Sequence, residues 1–226
     1  MLQTVIFDFD GVITDSEVLH LRSFNQVLAQ YGVEITEKDY YKVYLGLTDL
    51  DCFKLLASEG QFGLTEEQIE NLAKEKKQVF EKLAKNECSI IEGVRDFLQM
   101  LRQNNIPMAI CSGALLAEIE LILEQAQLRS FFEVIVSAEQ VEKGKPNPEG
   151  FLLTLQKLNE KIPSSILAEQ CIVIEDSHWG LEAAKAARMH TIAVTNSYDA
   201  DELRLAEKTV TQLGKLTIDD LQKLWA

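Results

Sequence analysis

At 226 residues the chain is longer than one small domain and shorter than two full ones, which fits a core with a modest insertion. Hydrophobic residues at 46% and charged residues at 26% describe a globular chain long enough to bury a core without disulfide staples. The net charge of −14 excludes nucleic acid and an anionic membrane surface as main partners, because both repel such a body. A small anionic substrate held by a few placed cations or a metal stays compatible with it.

Gln3 to Phe9 is a short β-prone run that ends in Asp8-Phe9-Asp10-Gly11. The stretch Met1 to Ile13 carries two aspartates and no basic lead, so it does not read as a signal peptide. Ser16 to about Tyr31 is patterned as a helix, with His20, Phe24, Val27, Leu28 and Tyr31 on one face. Residues 36–85 contain no strand pattern and read as three helices, near 37–45, 49–58 and 65–85. The last opens on Thr65-Glu66-Glu67-Gln68, a capping signature.

After Cys88 the pattern alternates. Strands are expected at 106–111, 134–137, 171–174 and 191–195, with helices at 114–125, 148–159 and 178–187 and a short one near Asp201. Successive strand–helix units imply a parallel, doubly wound sheet. The helical block interrupts that rhythm and reads as an insertion after the first strand. The expected organisation is an α/β core, residues 1–15 and 87–226, with an α-helical cap domain, residues 16–86. Cys52, Cys88, Cys111 and Cys171 form no CxxC pair; Cys111 and Cys171 read as buried small hydrophobes in a reducing, cytoplasmic compartment. No stretch approaches the roughly 18 apolar residues of a membrane helix.

Ligands of open α/β sheets bind beyond the carboxyl ends of the strands. The residues there are Asp8 and Asp10, then Ser112-Gly113, then Lys143-Gly144-Lys145-Pro146, then Glu175-Asp176. Asp8, Asp10, Glu175 and Asp176 offer hard oxygen ligands suited to Mg²⁺, which shares its sites with phosphate oxygens. Two readings are open for Asp176: metal ligand, or N-cap of the following helix in competition with Ser177. Aspartates at i and i+2 on a strand end point to one side, so Asp8 can attack phosphorus while Asp10 manages a proton. A turn accounts for Asp10-Gly11 but not for an acid at Asp8 within a Val-Ile-Phe run. Ser112 and Gly113 either cap a helix or cradle a phosphate. Asn147 and Pro148 are a helix start, which leaves Lys145 on a stiff loop as a placed cation. His20 and Lys76 break apolar helix faces; both are either core residues, with a snorkelling stem for Lys76, or the lining of a cleft.

These motifs, in this order and spacing and over nearly the whole chain, resemble the haloacid dehalogenase superfamily of phosphatases, in its β-phosphoglucomutase and phosphoglycolate phosphatase branch. Asp8 to Glu17 is similar to its first motif, Ser112-Gly113 to the second, Lys145-Pro146 to the third and Glu175-Asp176-Ser177 to the fourth. The resemblance implies a Rossmann-like core with a helical cap, Asp8 as nucleophile and Asp10 as acid and base. It implies Mg²⁺ held by Asp8, the Asp10 backbone carbonyl and Asp176 with Glu175 in support, and phosphoryl binding by Lys145 and Ser112. His20 and Lys76 are similar to substrate-facing cap residues of the mutase branch. That branch carries an arginine in the segment matching Gly46-Leu47-Thr48-Asp49; here Asp49 stands there, and a carboxylate cannot clamp a second phosphate. The expectation is therefore a Mg²⁺-dependent phosphatase of a small phosphorylated metabolite, by default a monomer. A sugar phosphomutase and a non-catalytic phosphate-binding module are the alternatives. A dehalogenase would not need Asp10 or the Glu175-Asp176 pair. A phosphonate hydrolase needs a cap lysine of depressed pKa, and nothing around Lys54 suggests one.

Overall fold

The computed structural model describes residues 1–45, 47–58, 63–87, 89–163 and 165–225, so Gly46 and Cys88 lie outside the described residues. The chain divides into two compact units, Met1–Asp15 with Ser89–Ala226, and Ser16–Cys88.

The first strand, β1 (Thr4–Phe7), belongs to the larger unit. The chain then builds the helical unit from α1 (Glu17–Leu28), α2 (Glu37–Asp39), α3 (Asp49–Ser58) and α4 (Glu66–Glu87). Its core gathers Phe24, Val27, Leu28, Tyr40, Phe53, Leu56, Ile69 and Leu72. The capping box that opens α4 forms: Thr65 Oγ1 accepts the Gln68 N–H and Gln68 Oε1 accepts the Thr65 N–H. Two expectations need correction. The α1 pattern stops at Leu28, a 3₁₀ turn follows, and Tyr31 is exposed rather than on the buried face. The helix expected at 37–45 is one α turn followed by a π turn, Tyr40–Tyr44, closed by Leu45 N–H to Tyr40 C=O. Tyr40 and Tyr44, four residues apart, both enter the core.

The larger unit resumes with α5 (Val94–Gln103), β2 (Met108–Cys111), α6 (Leu116–Gln125), β3 (Val134–Val136) and α7 (Glu149–Lys161). It ends with β4 (Cys171–Glu175), α8 (His178–Ala186), β5 (His190–Val194), β6 (Lys208–Val210) and α9 (Ile218–Gln222). All six strands pair in parallel, in the order β3-β2-β1-β4-β5-β6. Strands β1 to β4 are buried at every position, the pattern of a sheet covered on both faces. Successive side chains of β1 show the two faces. Ile6 joins the cluster of Phe151, Leu158, Ala183 and Ala184, whereas Phe7 meets Phe97 and Phe132 edge to face. The doubly wound α/β expectation is met. The short helix expected near Asp201 is instead a series of turns, and α5 and the edge strand β6 were not anticipated.

Candidate active site

Parallel pairing sets the site. Phe7 is in register with Ile174, and Asp8 N–H continues the ladder to Ile174 C=O, so Asp8 emerges beside Glu175 and Asp176. On the other flank Ser112 N–H bonds Val136 C=O, just beyond β2. Asp8, Glu175 and Asp176 are buried, and each offers a carboxylate oxygen within 4.8 Å of the others'. Lys145, next to a cis peptide bond to Pro146, donates from Nζ to Asp8 Oδ1 at 2.7 Å and to Glu175 Oε1 at 2.5 Å.

Glu175 is tied from both ends. Its Oε2 accepts Ser177 Oγ–H at 2.9 Å and the N–H groups of Asp176 and Ser177 at 3.2 and 3.3 Å. Ser177 Oγ in turn accepts Gly180 N–H at 3.1 Å and is the N-cap of α8. The cap of α8 is therefore Ser177 and not Asp176. Asp176 Oδ2 instead accepts a hydrogen bond from Ser197 Oγ. Gly180 is required, because a Cβ there would fall 1.9 Å from the Glu175 carboxyl.

Three carboxylates against one ammonium leave the group short of positive charge. Burial, then the charge of Asp8, pushes the Glu175 carboxyl up to about 7, against the pull of Lys145. Burial, then Asp8 and Glu175, raises Asp176 well above the usual carboxylate range. Burial opposes the Lys145 charge, but Asp8 and Glu175 outweigh it and raise that pKa above the lysine norm. Hard oxygens, burial and excess negative charge are what a Mg²⁺ site requires, so these residues fit that ion.

Asp10 sits outside this carboxylate group. The strand ends at Phe7, so the pleat does not set the direction of Asp10; it lies in a turn where Gly11 N–H bonds Thr14 C=O. Gly11 has φ +75°, and a Cβ on it would lie 1.8 Å from Asp176 Oδ2. Ser112 is buried and its Oγ accepts Ala114 N–H at 2.9 Å. The following helix begins two residues later than expected, at Leu116, whose N–H is held by the Glu139 carboxylate. The N-terminus of α6 is therefore partly satisfied by the protein. Gly113 stands in open space, with no atom within 4 Å of where a Cβ would be. Asn147 Oδ1 accepts Glu149 N–H and starts α7 as anticipated. The free thiols of Cys52, Cys111 and Cys171 are buried, and burial raises them to about 12, 11 and 12, which suits small hydrophobes rather than nucleophiles.

Within the helical unit, Lys76 is fully buried, so it is no snorkelling stem. Its Nζ reaches Asp49 Oδ1 and His20 Nδ1, each at 2.6 Å, and lies 4.5 Å from the Phe24 ring centroid. An ammonium only donates, so His20 Nδ1 accepts and the ring proton is on Nε2. His20 stacks on Phe80 at 4.1 Å, and burial, with the Lys76 charge, holds its pKa well below the histidine norm. The pairing of Lys76 with Asp49 went unread in the sequence. So did Asn196 and Ser197, although they follow a strand end as the other site residues do.

The described helices include none long and apolar enough to cross a membrane. A phosphorylated carbohydrates phosphatase of Thermotoga maritima is 33% identical over 195 residues, spanning 84% of each chain. Hexitol phosphatase B of Escherichia coli is 29% identical over 226 residues, spanning 96% of this chain and 95% of that one. Among solved structures, β-phosphoglucomutase from Clostridium difficile is similar with a TM-score of 0.80 and 25% identity, over 99% of this chain and 96% of that one. The sequence model of the haloacid dehalogenase-like hydrolases matches residues 5–194, a span that takes in all four strand-end motifs. With those motifs meeting at one sheet edge, the chain belongs to the haloacid dehalogenase-like hydrolase family.

Proposed function

We propose that this hydrolase is a Mg²⁺-dependent phosphatase of a small phosphorylated metabolite, working through an aspartyl-phosphate on Asp8. The observation that supports this best is the buried group of Asp8, Glu175 and Asp176 with Lys145 bonded to two of its members. Asp8 and Asp176, the Asp10 main-chain carbonyl and, in support, Glu175 would hold Mg²⁺. The ion, when bound, supplies charge that offsets the transferring phosphoryl group.

An Asp8 carboxylate oxygen forms a bond to phosphorus as the phosphorus–ester oxygen bond breaks. The leaving oxygen takes the proton held by Asp10. Asp10, now a carboxylate, takes a proton from water as its oxygen attacks the same phosphorus, which releases inorganic phosphate and restores Asp8. Lys145 neutralises Asp8 and the incoming phosphoryl oxygens, and Ser112 with the open backbone at Gly113 receives those oxygens. In the helical unit, His20 is proposed to act on the organic part of the substrate, with Lys76, buried between His20 and Asp49, setting its tautomer and charge.

The names of the relatives make phosphorylated carbohydrates and hexitol phosphates the first compounds to screen. Hydrolysis is favoured over a mutase because Asp49 is a carboxylate already paired with Lys76, an unsuitable grip for a second phosphate. The test is phosphate release from an aryl phosphate with Mg²⁺. Asp8→Asn is expected to lose at least about 1000-fold in kcat/KM, a loss typical of a missing nucleophile. Wild-type turnover by that variant would sink the assignment, and an isomerised sugar phosphate without released phosphate would favour the mutase.

A further inference from the structure

The loop that leaves β5 places three consecutive side chains on Asp176 and on the two segments next to the acidic group, the Gly11 turn and the start of α8. Asn196 Nδ2 donates to the Gly11 carbonyl at 2.7 Å. Ser197 Oγ donates to Asp176 Oδ2. Tyr198 packs its ring at right angles to those of His178 and Trp179, the first turn of the helix that follows Asp176. The approach is close on the opposite side too, since a Cβ on Gly11 would lie 2.8 Å from Ser197 Oγ as well as against Asp176. Asn196 and Ser197 are exposed, so burial does not explain them, whereas Ser197 bonds a carboxylate of the acidic group and Asn196 the backbone of the turn that approaches it.

We infer that Ser197 is a positioning residue that presets the Asp176 carboxylate for a divalent cation, with Asn196 and Tyr198 anchoring the loop that carries it. The inference rests on the metal reading given above. A carboxylate that ligates with one oxygen must have its other oxygen fixed, or the group rotates and the ligand set loosens. Ser197 supplies that fixed bond from a loop whose start is held by Thr195 N–H to Val210 C=O and by the Asn196 contact. Losing an outer partner of this kind typically costs 10- to 100-fold in metal affinity.

The experiment is Mg²⁺ titration by calorimetry on wild type, Ser197→Ala, Ser197→Thr and Asp176→Asn, with thermal unfolding of each metal-free protein as a control of folding. Ser197→Ala is expected to bind Mg²⁺ about 10-fold more weakly, with a metal-free melting temperature lowered by no more than the about 2–4 °C that one lost hydroxyl bond costs. Ser197→Thr, which keeps the hydroxyl, is expected to restore binding to within about 3-fold of wild type, against that 10-fold loss. The apparent KM for Mg²⁺ in phosphate release should follow the same order. Wild-type affinity in Ser197→Ala, alongside lost binding in Asp176→Asn, overturns the role of Ser197 and leaves the metal site standing. Absence of Mg²⁺ binding in wild type overturns the metal site itself, and the positioning role with it.

Discussion

Replacing Gly180 by alanine sets helix propensity against the geometry of the acidic site. Gly180 is the third residue of α8, where alanine is the better helix former by about 1 kcal/mol. Propensity alone therefore predicts a more stable protein. The added Cβ, however, would fall 1.9 Å from Cδ and Oε1 of Glu175 and 2.2 Å from Oε2. The side chain of Glu175 cannot swing aside freely, because it is fully buried and held by Lys145, Ser177 and two backbone N–H groups. Moving it breaks the charged bond to Lys145, worth about 1.5–3 kcal/mol, and a hydroxyl bond worth about 1 kcal/mol. Against the gain of about 1 kcal/mol, Gly180→Ala should lose about 2 kcal/mol, or about 4–8 °C in melting temperature for a chain of this size. Urea unfolding followed by circular dichroism gives the free energy, and calorimetry the temperature. A variant as stable as wild type, or more stable, would refute the claim that Glu175 is locked in place.

Four further predictions use the same geometry. Gly113→Ala meets no neighbour, so its stability should stay within about 0.5 kcal/mol of wild type while its KM for a phosphate ester rises, as steady-state kinetics with calorimetry would show. Lys145→Met leaves buried carboxylates uncompensated and should cost about 3–5 kcal/mol at pH 8. Glu175 has a raised pKa of about 7, so it favours the fold at low pH and that contribution is lost as pH rises through 7; the Lys145→Met deficit should accordingly shrink at pH 5.5 in unfolding curves. His20 has a depressed pKa, so its contribution is present above the unfolded value of 6.5 and is lost as pH falls below it; His20→Gln should flatten stability between pH 6.5 and 5 by up to about 1.4 kcal/mol per pH unit. Mg²⁺ at about 100 times its dissociation constant should stabilise the protein by about 2.7 kcal/mol, reversibly with a chelator, and a melting temperature indifferent to Mg²⁺ would contradict the metal reading.

Much of the core was legible because parallel strands buried on both faces read as continuous apolar runs, and the polar residues closing those runs mark the strand ends. Asp8 after Val5-Ile6-Phe7 and Glu175-Asp176 after Ile172-Val173-Ile174 are of this kind. Val94–Gln103 was missed although Val94, Phe97, Leu98 and Leu101 keep helical spacing, and β6 was missed because three half-exposed residues at a sheet edge carry almost no pattern. The start of α6 was misplaced by two residues because Ser112 looks like a cap. Its hydroxyl binds a turn N–H instead, and the first N–H of the helix goes to Glu139, 23 residues away.

The sequence by itself determined which residues close the strands, and hence which acids and which lysine were available to one edge of the sheet. Local pattern suffices for that, because burial and turn chemistry act over a few neighbours. Only the tertiary structure decided their partners: Lys145 on Asp8 across 137 residues, Ser197 on Asp176 across 21, and Lys76 between His20 and Asp49. It also decided that Ser177, and not Asp176, caps the helix. The physical reason is that charge state and ligand geometry depend on burial and on which groups converge. Neither is a property of a short stretch of chain until lateral strand order and close approaches such as Gly180 against Glu175 are fixed.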